Sequence, residues 1–255
     1  MLTSCGEDEA SAAELIRQSP AAMADAGTAR MEMSMAFGPV DIQAEGAFDL
    51  ENQTGTMSME MPAPLNATLD MVFDDTTYFM STDAFGGAIP GVDAEWIRYD
   101  LDDLAQLSGI DLDQLSQGGA TSDPTNMLDA LEGVSADGIE DLGTEEVRGV
   151  SAHHYAAEID MQAALDQAED QVGELLDDDA AERFLEAYGD DPVPVEVWID
   201  DDGLTRKMTM DVSVQGQDGS FTLEMFDYGE PVDIQIPSED DSVDFAELLG
   251  SLGGD

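Results

Sequence analysis

Residues 193–228 hold the pattern that most limits the folds open to this chain. Val193 to Asp200 reads Val-Pro-Val-Glu-Val-Trp-Ile-Asp and is followed by Asp201-Asp202-Gly203. In the run that follows, Leu204, Met208, Met210, Val212 and Val214 share one face. Thr205, Lys207, Thr209, Asp211 and Ser213 share the other. A second turn is expected at Gln217-Asp218-Gly219, leading into Phe221 to Tyr228. Period-two alternation between Asp-Gly turns predicts an antiparallel meander with one wet face.

The same design recurs upstream. Met31, Met33, Met35 and Phe37 alternate with Glu32, Ser34 and Ala36; Ile42, Ala44, Gly46, Phe48 and Leu50 with Gln43, Glu45, Ala47 and Asp49; Met57, Met59 and Met61 with Ser58 and Glu60. Leu69, Met71 and Phe73 predict a fourth strand, Thr77 to Ser81 a fifth and Glu95 to Tyr99 a sixth. Hairpin-length separations imply antiparallel neighbours. Further strands are expected at 139–142, 145–147 and 150–159, and a last one at Val232, Ile234 and Ile236.

Helical spacing interrupts the strands. Ser11-Ala12-Ala13-Glu14 reads as a capping box, and Pro20 is expected to kink or restart that helix with Ser19 as cap; Gly27 ends it. Short helices are expected near 102–107, 112–115 and 124–131. The longest lies over 161–188, where Leu165, Ala168, Val172, Leu175, Leu176, Phe184 and Tyr188 recur at helical spacing. Phe245, Leu248 and Leu249 predict a final helical turn.

The charge excludes several classes of partner. Seven Lys plus Arg against 59 Asp plus Glu give a net charge of −52. Such a field repels nucleic acid and anionic lipid surfaces. The acids concentrate in turns and on exposed strand positions, which fits a solvated, salt-adapted surface. No run has the alternating ligands, central Gly and closing Glu of a calcium loop. His153 and His154 are adjacent on a strand, so they point to opposite faces, poor geometry for a metal pair. Nucleophile-elbow, zinc and phosphate-loop motifs are absent, so no enzyme, metal or cofactor is expected.

Met1-Leu2-Thr3-Ser4-Cys5-Gly6 opens the chain, and Leu-Thr-Ser-Cys resembles a bacterial lipobox, whose cysteine is lipidated. On that reading the true start lies upstream, and Glu7-Asp8-Glu9 is a polar tether. The alternative is an incidental thiol.

Further stretches carry a wider resemblance: Thr28 to Met35, Ala44 to Phe48, Tyr78-Phe79-Met80, Glu95 to Leu101, Gly143 to Val150 running into His154-Tyr155, Val197 to Asp200, Gly203-Leu204, Phe226 to Val232 and Ile236-Pro237. In this order the chain resembles the actinobacterial lipoproteins of the LppX–LprG type, within the LolA-like superfamily. The resemblance implies an α+β fold: a curved, incompletely closed antiparallel sheet, a half-barrel, with helices covering its concave face and a lipid-holding cavity between. It implies residues 1–10 as lipobox remnant and tether, 11–249 as one domain and 250–255 as a frayed tail. It also implies an extracytoplasmic monomer, anchored to the membrane through Cys5, that carries or chaperones a lipid or lipidated molecule. A transporter or envelope protein would be its partner. An envelope sensor built on the same fold is the alternative.

Eleven of the fifteen methionines fall on expected strands, and methionine suits apolar surfaces that accept variable partners. The expected pocket is Met33, Met35, Phe48, Met59, Met71, Phe73, Phe79, Met208, Met210 and Met225, unless methionine merely fills a wide core. The glycine-rich stretch 83–94, with Phe85, Gly86, Gly87 and Ile89, is either a rim over that pocket or a plain connector.

Overall fold

The computed structural model describes residues 5–63, 66–85, 94–100, 139–159, 192–214, 217–246 and 248. Helix α1 (Cys5–Ala26) precedes six strands: β1 (Thr28–Phe37), β2 (Val40–Asp49), β3 (Thr54–Met61), β4 (Ala67–Asp74), β5 (Thr77–Ser81) and β6 (Trp96–Asp100). Six more follow: β7 (Glu140–Val147), β8 (Val150–Ile159), β9 (Val193–Asp200), β10 (Thr205–Val214), β11 (Gln217–Phe226) and β12 (Ser242–Asp244). All twelve form one sheet, in the order β12-β6-β5-β4-β3-β2-β1-β11-β10-β9-β8-β7. Within β1–β6 and within β7–β11 consecutive strands pair antiparallel, and the two meanders join where β1 meets β11. The sheet is open and curved, with β12 and β7 at its edges among the described residues.

The alternation predicted from sequence sets the two faces, because directly paired residues in an antiparallel ladder share a face. One face carries Ala29, Met31, Phe48, Phe73, Tyr78, Tyr155, Val195, Val197, Ile199, Met208, Phe221, Leu223 and Met225. Helix α1 lies on this face, over β7, β9 and β10. Ala12, Ala13, Ile16, Ser19 and Met23, spaced at helical period, are all buried. Full burial of a side chain such as Ile16 or Met23 stabilises by roughly 1.5–3 kcal/mol. The helix is therefore held by tertiary packing, and Gly27 closes it at φ +80°.

The structure corrects several expectations. The helix begins at Cys5 rather than at the Ser11 capping box, so Glu7-Asp8-Glu9 are helical. It does not restart at Pro20. Ile16 and Met23 are 1% and 0% exposed on either side of that proline, and burial of both holds the helix continuous although Pro20 donates no hydrogen bond. Ser19 is no cap: its hydroxyl shares a 2.6 Å hydrogen bond with the Thr205 hydroxyl. Thr205 had been expected on the polar face. A bulge between Thr205 and Lys207 sets two residues against one on β9, so Thr205 turns inward opposite Ile199 while Lys207 faces outward opposite Trp198.

Gln217 to Gly219 pair within β11 instead of forming a turn. The pieces expected at 139–142 and 145–147 are one strand, interrupted by a bulge at Asp141/Gly143. Val232, Ile234 and Ile236 form no strand. That segment carries the chain from Gly229, bonded to Thr28, to Asp241, bonded to Glu95 at the far edge. Alternation there comes without a ladder partner. The chain then adds β12, parallel to β6, so the sheet is mixed rather than wholly antiparallel. Phe245 packs against Tyr99 and Leu248 is buried, in keeping with the expected apolar closing turn. The helices expected within 102–131 and 161–188 lie outside the described residues, and only α1 is seen on the apolar face.

Candidate functional site

The α1-bearing face is organised in transverse rows. The first, nearest the turns at Glu51 and Asp75, is aromatic. Phe48, Phe73, Tyr78 and Tyr99 stand on β2, β4, β5 and β6, with ring centroids 5.6, 6.1 and 5.3 Å apart in succession. Gly55 on β3 completes the row: the Phe73 ring lies against its backbone, and a Cβ there would come within 2.0 Å of a ring atom. Burial pushes the Tyr99 phenol above its ordinary range, with Tyr78 adding to the effect.

Beyond the aromatic row come the methionines. Met31, Gly46, Met57, Met71, Met80 and Ile97 form the second row. Met33, Ala44, Met59 and Leu69 form the third, continued on the other side by Leu223, Met208, Val197 and Tyr155. Met35 and Ile42, with Phe221, Met210, Val195 and Ala157, form the fourth. Met61, paired with Ala67, lies one step on from Met59. All eleven strand methionines therefore face the same side: three on β1, three on β3, two on β10 and one each on β4, β5 and β11.

The structure divides the expected pocket residues. Phe48, Met208 and Met225 are each 1% exposed, and Phe73 is also buried, so these four belong to the core. Met33, Met35, Met59, Met71 and Met210 share their face but remain half-buried. Phe79 is corrected: it pairs with Val72 and faces the other side of the sheet, whereas its neighbour Met80, opposite Met71, points with the methionines. The strand was legible, but its phase was not, because Phe79 and Met80 are both apolar. Met57, Met61, Met80, Tyr78 and Tyr99 are further residues of this face that the alternation of their strands could have identified. Of the proposed rim, Phe85 ends a 3-10 turn at Thr82–Phe85, while Gly86, Gly87 and Ile89 lie outside the described residues. Cys5 is the first residue of α1.

The opposite face is polar. Asp70, Ser58, Glu45, Glu32, Glu224, Lys207, Trp198 and His154 form a row across it. Arg148, in the left-handed region at φ +50°, reaches from the β7–β8 turn to Glu224 at 2.7 Å and to Glu32, with its guanidinium 3.9 Å above the Phe226 ring. The imidazole of His154 stacks on Trp198 at 4.0 Å, and the Lys207 ammonium lies 4.4 Å from the same indole ring. His153 faces the other way, beside Tyr155. A concavity of about 490 Å³ on the polar face is lined by Glu32, Ser34, Glu45, Ser58 and Glu60 among others, so it is hydrophilic. Among the described residues no group of three His, Cys, Asp or Glu side chains is placed to hold a metal ion.

At the end of the sheet where α1 meets β10, a buried polar cluster fixes the β9–β10 turn. Asp200, 3% exposed, accepts from the backbone of Asp202 and Leu204 and pairs with Arg206 at 2.6 Å. The Tyr228 hydroxyl donates to the Thr205 carbonyl, and burial pushes its pKa far above the ordinary phenol range. These groups are saturated by one another and hold structure.

Comparison with known proteins agrees with this architecture. A family model described as LppX_LprAFG lipoprotein matches residues 125–234. An uncharacterized 31.2 kDa protein from the rplA-rplJ intergenic region of Streptomyces griseus is 30% identical over 227 residues, covering 88% of this chain and 72% of its own length. The crystal structure of lipoprotein LppX from Mycobacterium tuberculosis superposes with a TM-score of 0.51 at 14% identity, over 88% of this chain and 97% of that one. LprF from Mycobacterium bovis gives 0.50 at 14% identity, over 89% and 97%. An open curved sheet in the same arrangement, together with the matching sequence, makes the chain a member of the LppX/LprAFG family of lipoproteins.

Proposed function

We propose that the protein is a membrane-anchored, extracytoplasmic lipoprotein that holds a lipid or a lipidated molecule against the methionine-bearing face and carries or chaperones it in the cell envelope. The observation that carries this reading is the placement of all eleven strand methionines on one side of the sheet, five of the expected pocket residues among them only half-buried. A core built for rigidity favours branched aliphatic side chains with few rotamers. Methionine is flexible and polarizable and adapts to acyl chains of different shape. The aromatic row at one end gives such a face a rigid floor. Cys5, at the start of α1, is the residue that would carry the lipid anchor. The polar face, with its rows of carboxylates, is unsuited to an acyl chain.

Native mass spectrometry of gently purified protein tests the reading directly: a co-purifying lipid is expected. Displacement of a fluorescent fatty acid, measured beside thermal melting for Met59→Trp and Met210→Trp, locates the ligand. Ligand binding is expected to fall while the melting temperature changes little, because an open face has room for the indole. In a close-packed core the same change would cost about 1–3 kcal/mol. Lost stability with unchanged lipid binding would overturn the reading.

A further inference from the structure

The methionines are unevenly spread over the face they share. Strands β8 and β9 contain none, and β9 fills this face with Val195, Val197 and Ile199. Strands β3, β4 and β5 bring five: Met57, Met59, Met61, Met71 and Met80. The ladder sets three of them in one transverse line, Met57 opposite Met71 and Met71 opposite Met80. Residues directly opposite in an antiparallel pair have Cβ atoms about 4.5–5.5 Å apart. Met59 stands diagonal to Met71, two residues and about 6.6 Å along β3 from Met57.

The surroundings of this cluster are apolar on every neighbouring strand. Phe73 and Tyr78, two residues from Met71 and Met80, wall it on the side of the aromatic row. Ile97 flanks Met80 on β6, and Gly46 takes the β2 position beside Met57. On strands β1 to β6 this face carries no His, Cys, Asp or Glu, because every carboxylate of those strands alternates onto the other side. Met57, Met59, Met71 and Met80 are half-buried, whereas Met31, Met208 and Met225 are sealed.

Thioether sulfur is a soft donor that selects Cu(I), while carboxylate and carbonyl oxygens suit calcium and magnesium. The motifs missing from this sequence are those of harder ions, and thioethers in register on neighbouring strands leave no such motif. We infer that Met57, Met71 and Met80, with Met59 beside them, form a binding site for Cu(I) made of thioethers alone. Unbranched side chains with three rotatable bonds let sulfurs from β3, β4 and β5 converge on one ion above Met71. The aromatic wall keeps water from that side of it. A net charge of −52 draws cations to the molecule, and the carboxylates that supply the field stand on the opposite face, outside the coordination shell. The site does not rest on the lipid-holding role: an acyl chain calls for flexible apolar side chains, not for three thioethers in register.

One property separates this site from the usual ones. Thiol, imidazole and carboxylate ligands must lose a proton to bind a metal, so their affinity falls with pH. A thioether has no proton to lose, and its affinity is expected to hold.

The test uses the full chain with Cys5→Ser, so that no thiol competes, and Cu(I) buffered by bicinchoninate with ascorbate and without oxygen. The protein is expected to withdraw Cu(I) from the chelator, and X-ray absorption to show sulfur around the copper. Met71→Leu with Met80→Leu is expected to weaken the affinity at least about tenfold. Leucine is close to methionine in volume and equally apolar, so thermal melting is expected to change little. Met225→Leu, sealed in the core, is expected to leave the affinity unchanged. Ag(I), a redox-inert probe of the same charge and softness, is expected to bind equally at about pH 7 and about pH 5.5, a range in which an imidazole site would weaken. If the double variant melts lower than its parent, Met80→Leu alone serves as the test, read by the same loss of affinity. No withdrawal of Cu(I), a shell of nitrogen or oxygen, equal affinity in the leucine variant, an equal loss in Met225→Leu, or Ag(I) binding that falls with pH would each overturn the site. Fatty-acid displacement on the same proteins separates this site from the lipid-holding role. Fatty acid retained by the leucine variant while Cu(I) is lost supports the thioether site. A protein that takes up Cu(I) but holds no fatty acid leaves the site standing while the lipid-holding reading fails.

Discussion

Methionines that share one face of the sheet differ in how far they are buried. Met31, Met208 and Met225 are between 1% and 2% exposed, enclosed with Ile16 and Met23 of α1, while Met33, Met35, Met59, Met71 and Met210 on the same face are half-buried. Met208 and Met210 are two residues apart on one strand, point the same way, and differ only in what lies over them. A methionine under α1 is close-packed filler with the energetics of any core side chain. A methionine beyond it keeps the freedom that makes the residue useful to a variable ligand. Identity and facing alone do not decide how far a side chain is buried; what is packed over it does.

The sharpest way to break that comparison is truncation on both sides of it. Leu223→Ala, at a fully buried position opposite Met33 and Met208, is expected to cost about 2–5 kcal/mol, because a cavity is left that the sheet cannot close. Met59→Ala is expected to cost less than half of that. Urea denaturation of both variants measures the difference, and equal losses would show the face to be one uniform core.

A smaller effect is expected from the hydroxyl pair that seats α1. Ser19 and Thr205 are both 0% exposed and share one hydrogen bond. Ser19→Ala leaves the Thr205 hydroxyl buried without that partner, a loss of about 1–3 kcal/mol. Restoration of stability in the Ser19→Ala, Thr205→Val pair would show that the loss came from the orphaned group rather than from the packing of the helix.

The smallest change concerns the carboxylates of the other face and the turns. Self-repulsion at a net charge of −52 is relieved by salt, so the melting temperature is expected to rise between low and molar sodium chloride. Glu32 stands directly between Glu45 and Glu224 in the ladder, and like charges so placed repel. Arg148 bonds two of the three. Arg148→Gln is therefore expected to steepen the salt dependence, and an unchanged slope would exclude that row as its source.

Strand positions and facing could be read from the sequence because alternation is a local property. Thr77 to Ser81, Val150 to Ile159 and Val193 to Asp200 were placed to the residue. Where a position could not be read, the information was not local. Phe79 and Met80 are both apolar, so the phase of β5 follows only from its pairing with β4. Thr205 turns inward because two residues of β10 oppose one of β9, and a bulge leaves no mark in a single strand. Val232, Ile234 and Ile236 alternate well enough but have no neighbour to pair with.

The sequence by itself determined a β-rich chain with one methionine-bearing face, one carboxylate-bearing face, acidic turns and a family membership. Tertiary structure alone decided that β1 sits against β11 and joins the two meanders, that β12 closes an edge in parallel, and that α1 runs unbroken through Pro20. It also decided which methionines are sealed and which are left half-covered. The physical reason is one of range. Alternation is fixed by the pleat of each strand, but strand order, bulges and helix seating depend on contacts between residues as far apart as Ser19 and Thr205, and no short stretch of sequence encodes both partners.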